Sequence, residues 1–185
     1  MDAIDAIQQR TSVRHFRPDP VSRETIERLL ECAVRAPNHK LTEPWRFAVI
    51  TGGAKARLAE IKAAHRLRNA DGPESRARAD KARRETLESP ALIVLMARTS
   101  EDEVRREEDY AAVMMATANL MTAAQSLGLG TYLKTGGVMG EPALAELVGL
   151  PDSYRVVGIL SVGYPVEAEP PRRRRPAGEL TSWLE

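Results

Sequence analysis

The sequence predicts an α+β fold organised around a central sheet, and three observations carry that expectation. Trp45 to Thr51 (WRFAVIT) is aromatic and β-branched and ends at Gly52-Gly53, a strand followed by a turn. The run ALIVLMA after Pro90 has no polar alternation, as a strand covered on both faces requires. Tyr110 to Leu127 is apolar almost all round, which fits a central buried helix closed by Gly128 in a left-handed conformation. Helices and strands alternate only loosely, so the class is α+β.

The other elements follow in order. Residues 2 to 9 place Ile4 and Ile7 on a short helix that ends at the polar Arg10. Ser22 can cap the next helix, in which Ile26, Leu29, Leu30, Ala33 and Val34 recur at amphipathic spacing until Pro37 stops it. Residues 54 to 88 are helical in composition, interrupted at Asp71-Gly72-Pro73, and dense in both charge signs from His65 onward. That pattern reads as a solvated, salt-bridged helical pair or lid with no ligand assigned to it. A short strand leads into Lys134-Thr135-Gly136-Gly137, Glu141 to Val148 is a short helix with Pro142 near its start, and Tyr154 to Val162 (YRVVGILSV) is a further strand. The last 22 residues hold four prolines and should be irregular.

Composition narrows the function classes. At 185 residues the chain suits a single domain, residues 1 to 185, of a size that buries ~70% of its unfolded surface. With 27 Lys and Arg against 26 Asp and Glu, it is not a dedicated nucleic-acid binder, so any anion site must be local. The single Cys32 excludes an intramolecular disulfide and a thiolate cluster, and its place on a helix suggests a buried, inert thiol. No secretory signal or membrane span is legible, so a cytoplasmic protein is expected.

Three segments could carry chemistry. Arg10, Ser12 and Arg14 put two guanidinium groups and a hydroxyl on alternate positions of an extended stretch, which suits a phosphate but equally describes a solvated basic loop. Ala36-Pro37-Asn38-His39-Lys40 and Glu43-Pro44-Trp45-Arg46-Phe47 form a proline-braced polar loop that leads into a strand. Lys134-Thr135-Gly136-Gly137 combines a cation, a hydroxyl and a backbone that could approach a planar ligand closely. Neither a GxxxxGK[ST] loop nor a dinucleotide fingerprint is present. Arg172 to Arg175 is the most basic run, either a solvated tail or a phosphate ligand. Met114, Met115 and Met121 read as core packing.

Taken together, these motifs resemble the nitroreductase superfamily of FMN enzymes, most closely its compact bacterial subgroup. The matching residues are Arg10-x-Ser12-x-Arg14-x-Phe16, Arg35-Ala36-Pro37-Asn38-His39-Lys40, Pro44-Trp45-Arg46-Phe47, Gly128-Leu129-Gly130 and Lys134-Thr135-Gly136. The resemblance implies a mostly antiparallel sheet flanked by helices in an intertwined homodimer, with FMN at the subunit interface. It implies that Arg10, Thr11, Ser12 and Arg14 hold the phosphate and ribityl end, and that Arg35, His39 and Lys40 come from the second subunit. Leu133, Lys134, Thr135 and Gly136 would lie along the ring, and Arg174 would reach the phosphate. No side-chain nucleophile is required, because flavin N5 carries the hydride from NAD(P)H to a nitroaromatic, quinone or similar acceptor. Dehalogenation, flavin fragmentation, or a non-enzymatic flavin-binding role are the alternative readings. Two departures stand out: Leu133 where subgroup members often have tryptophan, and Glu43 where they have glutamine.

Overall fold

A computed structural model describes residues 1–68, 72–167 and 170–184. Its centre is a four-stranded sheet in the order β1-β2-β4-β3, formed by β1 (Trp45–Ile50), β2 (Ala91–Arg98), β3 (Gly130–Lys134) and β4 (Tyr154–Gly163). All three pairings are antiparallel, and the β2–β4 register shifts between Leu95 and Met96. The helices are α1 (Ala3–Gln9), α2 (Arg23–Ala33), α3 (Ala54–Arg68), α4 (Pro73–Glu88), α5 (Glu103–Ser126) and α6 (Pro142–Val148).

The two-residue period of a strand divides the core into two layers. Ile93, Leu95 and Ala97 of β2 and Leu160 and Val162 of β4 pack with Ile26, Leu29 and Ala33 of α2 and with Ala112, Val113, Ala116 and Leu120 of α5. Leu92, Val94 and Met96, interleaved with the first set, pack with Ile159, with Leu58 of α3 and with Leu144 of α6. A fully buried leucine contributes roughly 1.5–3 kcal/mol, so β2, apolar on both faces, is the strand that joins the layers.

Local signals set the helix ends. Ser22 accepts a hydrogen bond from the Thr25 amide at 3.1 Å and caps α2. Gly128 follows α5 at a φ of +73°, where a side chain would be strained. Lys55 of α3 donates to the carbonyls of Leu87 and Ser89 at 2.9 and 3.0 Å, tying the two ends of the α3–α4 hairpin together. Asp71 of the expected interruption lies outside the described residues, but Pro73 does open α4. The tail after β4 holds only a single turn at Ala177–Leu180 among its described residues.

Three expectations need correction. Helix α5 begins at Glu103, seven residues before the apolar pattern, because Asp102 caps it by accepting from the Arg105 amide. It is also not buried all round: Ala111, Met115 and Ala118 form an exposed stripe in this chain. Cys32 is exposed, since α2 turns Ile26, Leu29 and Ala33 inward and leaves Cys32 on the opposite face. Among the described residues no helix is long and apolar enough to cross a membrane.

Candidate functional site

The extended stretch after α1 is held against the edge of the sheet. Val13 donates its amide to the Thr131 carbonyl at 2.9 Å, and Ser12 bridges Thr131 in parallel. The buried Val13 side chain fills the space over Gly130, where a Cβ would stand 2.6 Å from Val13 Cγ2. With Val13 tucked inward, its neighbours Ser12 and Arg14 line a cavity of about 470 Å³.

That cavity gathers Arg10, Thr11, Ser12 and Arg14 with Arg172 and Arg174 from the tail, 160 residues away along the chain. Arg10 Nη1 is buried and has no hydrogen-bond partner among the described residues. A buried guanidinium nitrogen without an acceptor is costly, and several such donors around one cavity suit a phosphate, whose oxygens accept from planar forks. Arg172 and Arg174, exposed in the tail, thus line the same cavity as the N-terminal trio.

A second cavity, of about 530 Å³, shares Arg14 and Tyr132 with the first. Leu133, Lys134, Thr135 and Gly136 line one part of it. Gly136 has a φ of +124°, which only glycine adopts without strain. Lys134 is paired with Glu85 of α4. Burial raises the Glu85 pKa, but the Lys134 hydrogen bond and the nearby charges of Lys134, Lys81 and Lys62 outweigh it and leave the carboxyl below its ordinary range.

Helices α3 and α4 supply the rest of the lining through Lys62, His65, Arg66, Arg78 and Lys81. The charged hairpin, to which the sequence assigned no ligand, thus turns one face to this cavity. Part of it is solvated as expected, with Arg83 bonded to Glu60 and Asp80 and Arg78 to Glu74. The missed residue is Lys62, which is buried and whose Nζ has no hydrogen-bond partner among the described residues. A signal existed in the sequence: Lys62 occupies the inward stripe of α3 with Leu58, Ala59 and Ala63. Burial, then the charge of Lys134, push its ammonium down to about 8 against the opposing pull of Glu85, with Arg66 adding a smaller push.

A buried carboxylate orders the rim. Glu141 accepts from Arg68 at 2.7 Å and lies 2.6 Å from His65 Nδ1. The His65 hydrogen bond chiefly, with Arg68 in support, lowers the Glu141 pKa.

Arg35, His39 and Lys40 line neither cavity. They sit exposed on the loop after α2, where His39 Nδ1 is 2.8 Å from Glu108 and Thr42 donates to Asp109 at 2.7 Å, both on α5. Lys40, Leu41 and Glu43 all have left-handed φ between 43° and 55°, uncommon for residues other than glycine. Asn38 braces the turn by accepting from the Glu43 amide at 2.9 Å. Glu43 is exposed and lines neither cavity, so its charge stays outside both within one chain.

Comparison with known proteins bears on this geometry. The family model "Nitroreductase family" matches residues 7–164. The YfhC protein of Bacillus subtilis, assigned by name to the NAD(P)H nitroreductases, is 33% identical over 93% of this chain and 89% of its own length. The 5,6-dimethylbenzimidazole synthase of Rhodospirillum rubrum is 30% identical over 91% of this chain and 85% of its own. The crystal structure of a nitroreductase-like family protein from Bacillus cereus superposes with a TM-score of 0.87 at 32% identity, covering 100% of this chain and 97% of that one. Sheet order, the basic N-terminal cavity and these similarities agree, and the chain belongs to the nitroreductase family.

Proposed function

We propose that this protein is an FMN-dependent NAD(P)H oxidoreductase of the cytoplasm, a single-domain chain acting as a homodimer on nitroaromatic, quinone or similar electron-poor acceptors. The observation that carries the reading is the buried, unpartnered Arg10 Nη1 in a cavity it shares with Ser12, Arg14, Arg172 and Arg174. Those donors fit the phosphate of FMN. Thr11 adds to the same lining, and Leu133, Lys134, Thr135 and Gly136 would flank the ring in the adjoining cavity. When bound, FMN supplies two-electron transfer at its N5, chemistry that no side chain of the protein offers. The residues around it bind, orient and exclude water.

Exposed apolar groups support the dimer. Ala111, Met115 and Ala118 follow one another along α5, and Ile4, Ile7, Leu41, Trp183 and Leu184 are exposed as well. A second copy would cover such surface and could bring Arg35, His39 and Lys40 to the flavin. The proteins this chain resembles include one named as an NAD(P)H nitroreductase, which favours a nicotinamide reductant.

Absorption spectra of the purified protein test the reading. The wild type should carry flavin that bleaches on anaerobic addition of NADPH or NADH. Arg10→Ala and Arg14→Ala should lose FMN while far-UV circular dichroism stays unchanged, and stoichiometric flavin in both variants would refute the phosphate assignment. Oxygen-dependent loss of the flavin itself, in place of acceptor-dependent NAD(P)H consumption, would move the reaction to flavin fragmentation.

A further inference from the structure

We infer that the second cavity contains a separate oxyanion subsite centred on Lys62, which selects substrates carrying a carboxylate or phosphate group. The inference rests on the proposed oxidoreductase function and names the charge of the molecule that enters beside the flavin.

Positive charge dominates the lining of this cavity. Around Lys62, α3 contributes His65 and Arg66, α4 contributes Arg78, Lys81 and Glu85, and β3 contributes Lys134. Arg14 reaches the cavity from the N-terminal stretch. Among the described residues Glu85 is the only carboxylate lining this cavity, and it is engaged by a hydrogen bond from Lys134 and an ion pair with Lys81. Lys62 therefore has an ammonium in a half-enclosed, cation-rich space with no acceptor of its own among the described residues.

A buried lysine with no partner costs stability, and an apolar residue would serve the packing of α3 better. An anion entering the cavity removes that cost by accepting from Nζ, and Arg66, Arg78 and Lys81 add long-range attraction at the mouth. The FMN phosphate does not meet this need: of its proposed donors Arg10, Ser12, Arg172 and Arg174 line only the other cavity and Arg14 alone reaches both. The oxidised ring that would lie along Leu133 to Gly136 brings uncharged carbonyl oxygens, which do not neutralise an ammonium.

Two molecules could bring the oxyanion: a nicotinamide cofactor through its 2′-phosphate, or an acceptor through a carboxylate. Calorimetric titration of oxidised, FMN-loaded protein at pH 7 separates them with two matched pairs, NADP⁺ against NAD⁺ and 4-nitrobenzoate against its neutral methyl ester. In one pair the member with the additional oxyanion, NADP⁺ or 4-nitrobenzoate, should bind about tenfold tighter. Lys62→Met should abolish that preference while the protein keeps one FMN per protomer. The pair that loses its preference identifies the source of the oxyanion.

Raising the pH of the wild type from 7 to 9.5 provides a second measurement without substitution. It discharges Lys62, leaves the arginines and both ligand charges as they were, and should shrink the same preference. Equal affinities within both pairs in the wild type would overturn the subsite, and so would a preference that survives Lys62→Met. Loss of FMN from that variant would reassign Lys62 to the cofactor and overturn it too. Colourless wild-type protein that takes up no FMN would instead strike the oxidoreductase reading, and the absorption spectrum reports this independently of the binding heats.

Discussion

Replacing Lys62 by methionine should make the protein more stable, which is an unusual expectation for the loss of a charged residue at a binding site. The ordinary lysine value is 10.5, and in the folded chain burial and the neighbouring cations bring Lys62 to about 8. At about 1.4 kcal/mol per pH unit, that difference makes the charged side chain about 3 kcal/mol costlier in the folded protein. Below pH 8 both states hold the proton and the full cost opposes folding. Between pH 8 and 10.5 the unfolded chain keeps the proton that the folded chain has released, so wild-type stability rises with pH. Methionine fills a similar volume and has no charge to bury, so at pH 7 Lys62→Met should gain about 3 kcal/mol, or about 6–12 °C in Tm for a chain of this size. The advantage should shrink towards pH 10. Urea denaturation followed by circular dichroism at pH 7, 8.5 and 10, with protomer concentration and flavin content matched, measures it. Tyr154 also titrates abnormally, because hydrogen bonds from Arg98 and Arg46 outweigh the opposing effect of burial. It is present in both proteins and drops out of the difference. No gain at pH 7, or a gain independent of pH, would mean that Lys62 carries no buried-charge cost in the folded protein.

Two further outcomes link packing to the site. Gly130→Ala would place a Cβ 2.6 Å from Val13 Cγ2 and 2.7 Å from Val13 Cβ, so it should cost about 1–3 kcal/mol in thermal or urea unfolding. Because Val13 separates Ser12 from Arg14, the same variant should also retain FMN less well in equilibrium dialysis. Ala118→Glu puts a carboxylate in the exposed apolar stripe of α5 and should shift size-exclusion light scattering from dimer towards monomer, with helix content unchanged. A fully dimeric Ala118→Glu protein would mean that the stripe lies outside the interface.

The parts legible in the sequence are those whose cause is local. Ser22 caps α2 and Gly128 closes α5 because caps depend on residues a few positions apart. The unbroken apolar run of β2 foretold burial on both faces, and the two core layers confirm it. Arg10, Ser12 and Arg14 were legible as a group because one extended stretch carries them all. The start of α5 was not, since the charged turn from Glu103 to Asp109 lacks an apolar period and is helical through its Asp102 cap. His65, Arg66, Arg78 and Lys81 were missed for a different reason: in a run dense in both charge signs no period marks which charged residues turn to a cavity, whereas Lys62 stood in the apolar stripe of α3. Only the tertiary contact of α3 and α4 with residues 132 to 139 distinguishes the faces. Arg172 and Arg174 were visible as a basic run, but their destination beside Arg10 depends on the path of an irregular tail, which no periodicity encodes.

Arg10 and Lys62 each present a buried nitrogen without a partner among the described residues, yet their chemistry suits different ligands. Arginine stays charged at any accessible pH, so an emptied Arg10 cavity keeps its full electrostatic cost, which favours holding a phosphate permanently. Lysine can release its proton, and with Lys62 near 8 a small change in its surroundings is enough to discharge it. The cost of an empty Lys62 subsite is therefore bounded, as a ligand that must leave in every cycle requires. Tyr132 lies where the two systems meet, with the Arg14 guanidinium and the Lys134 ammonium each 5.3 Å from its ring centre. On the proposed reading, this contact joins a retained cofactor end to an exchanging substrate end. On that same reading the arginines would retain the cofactor and the lysine would select charge at turnover.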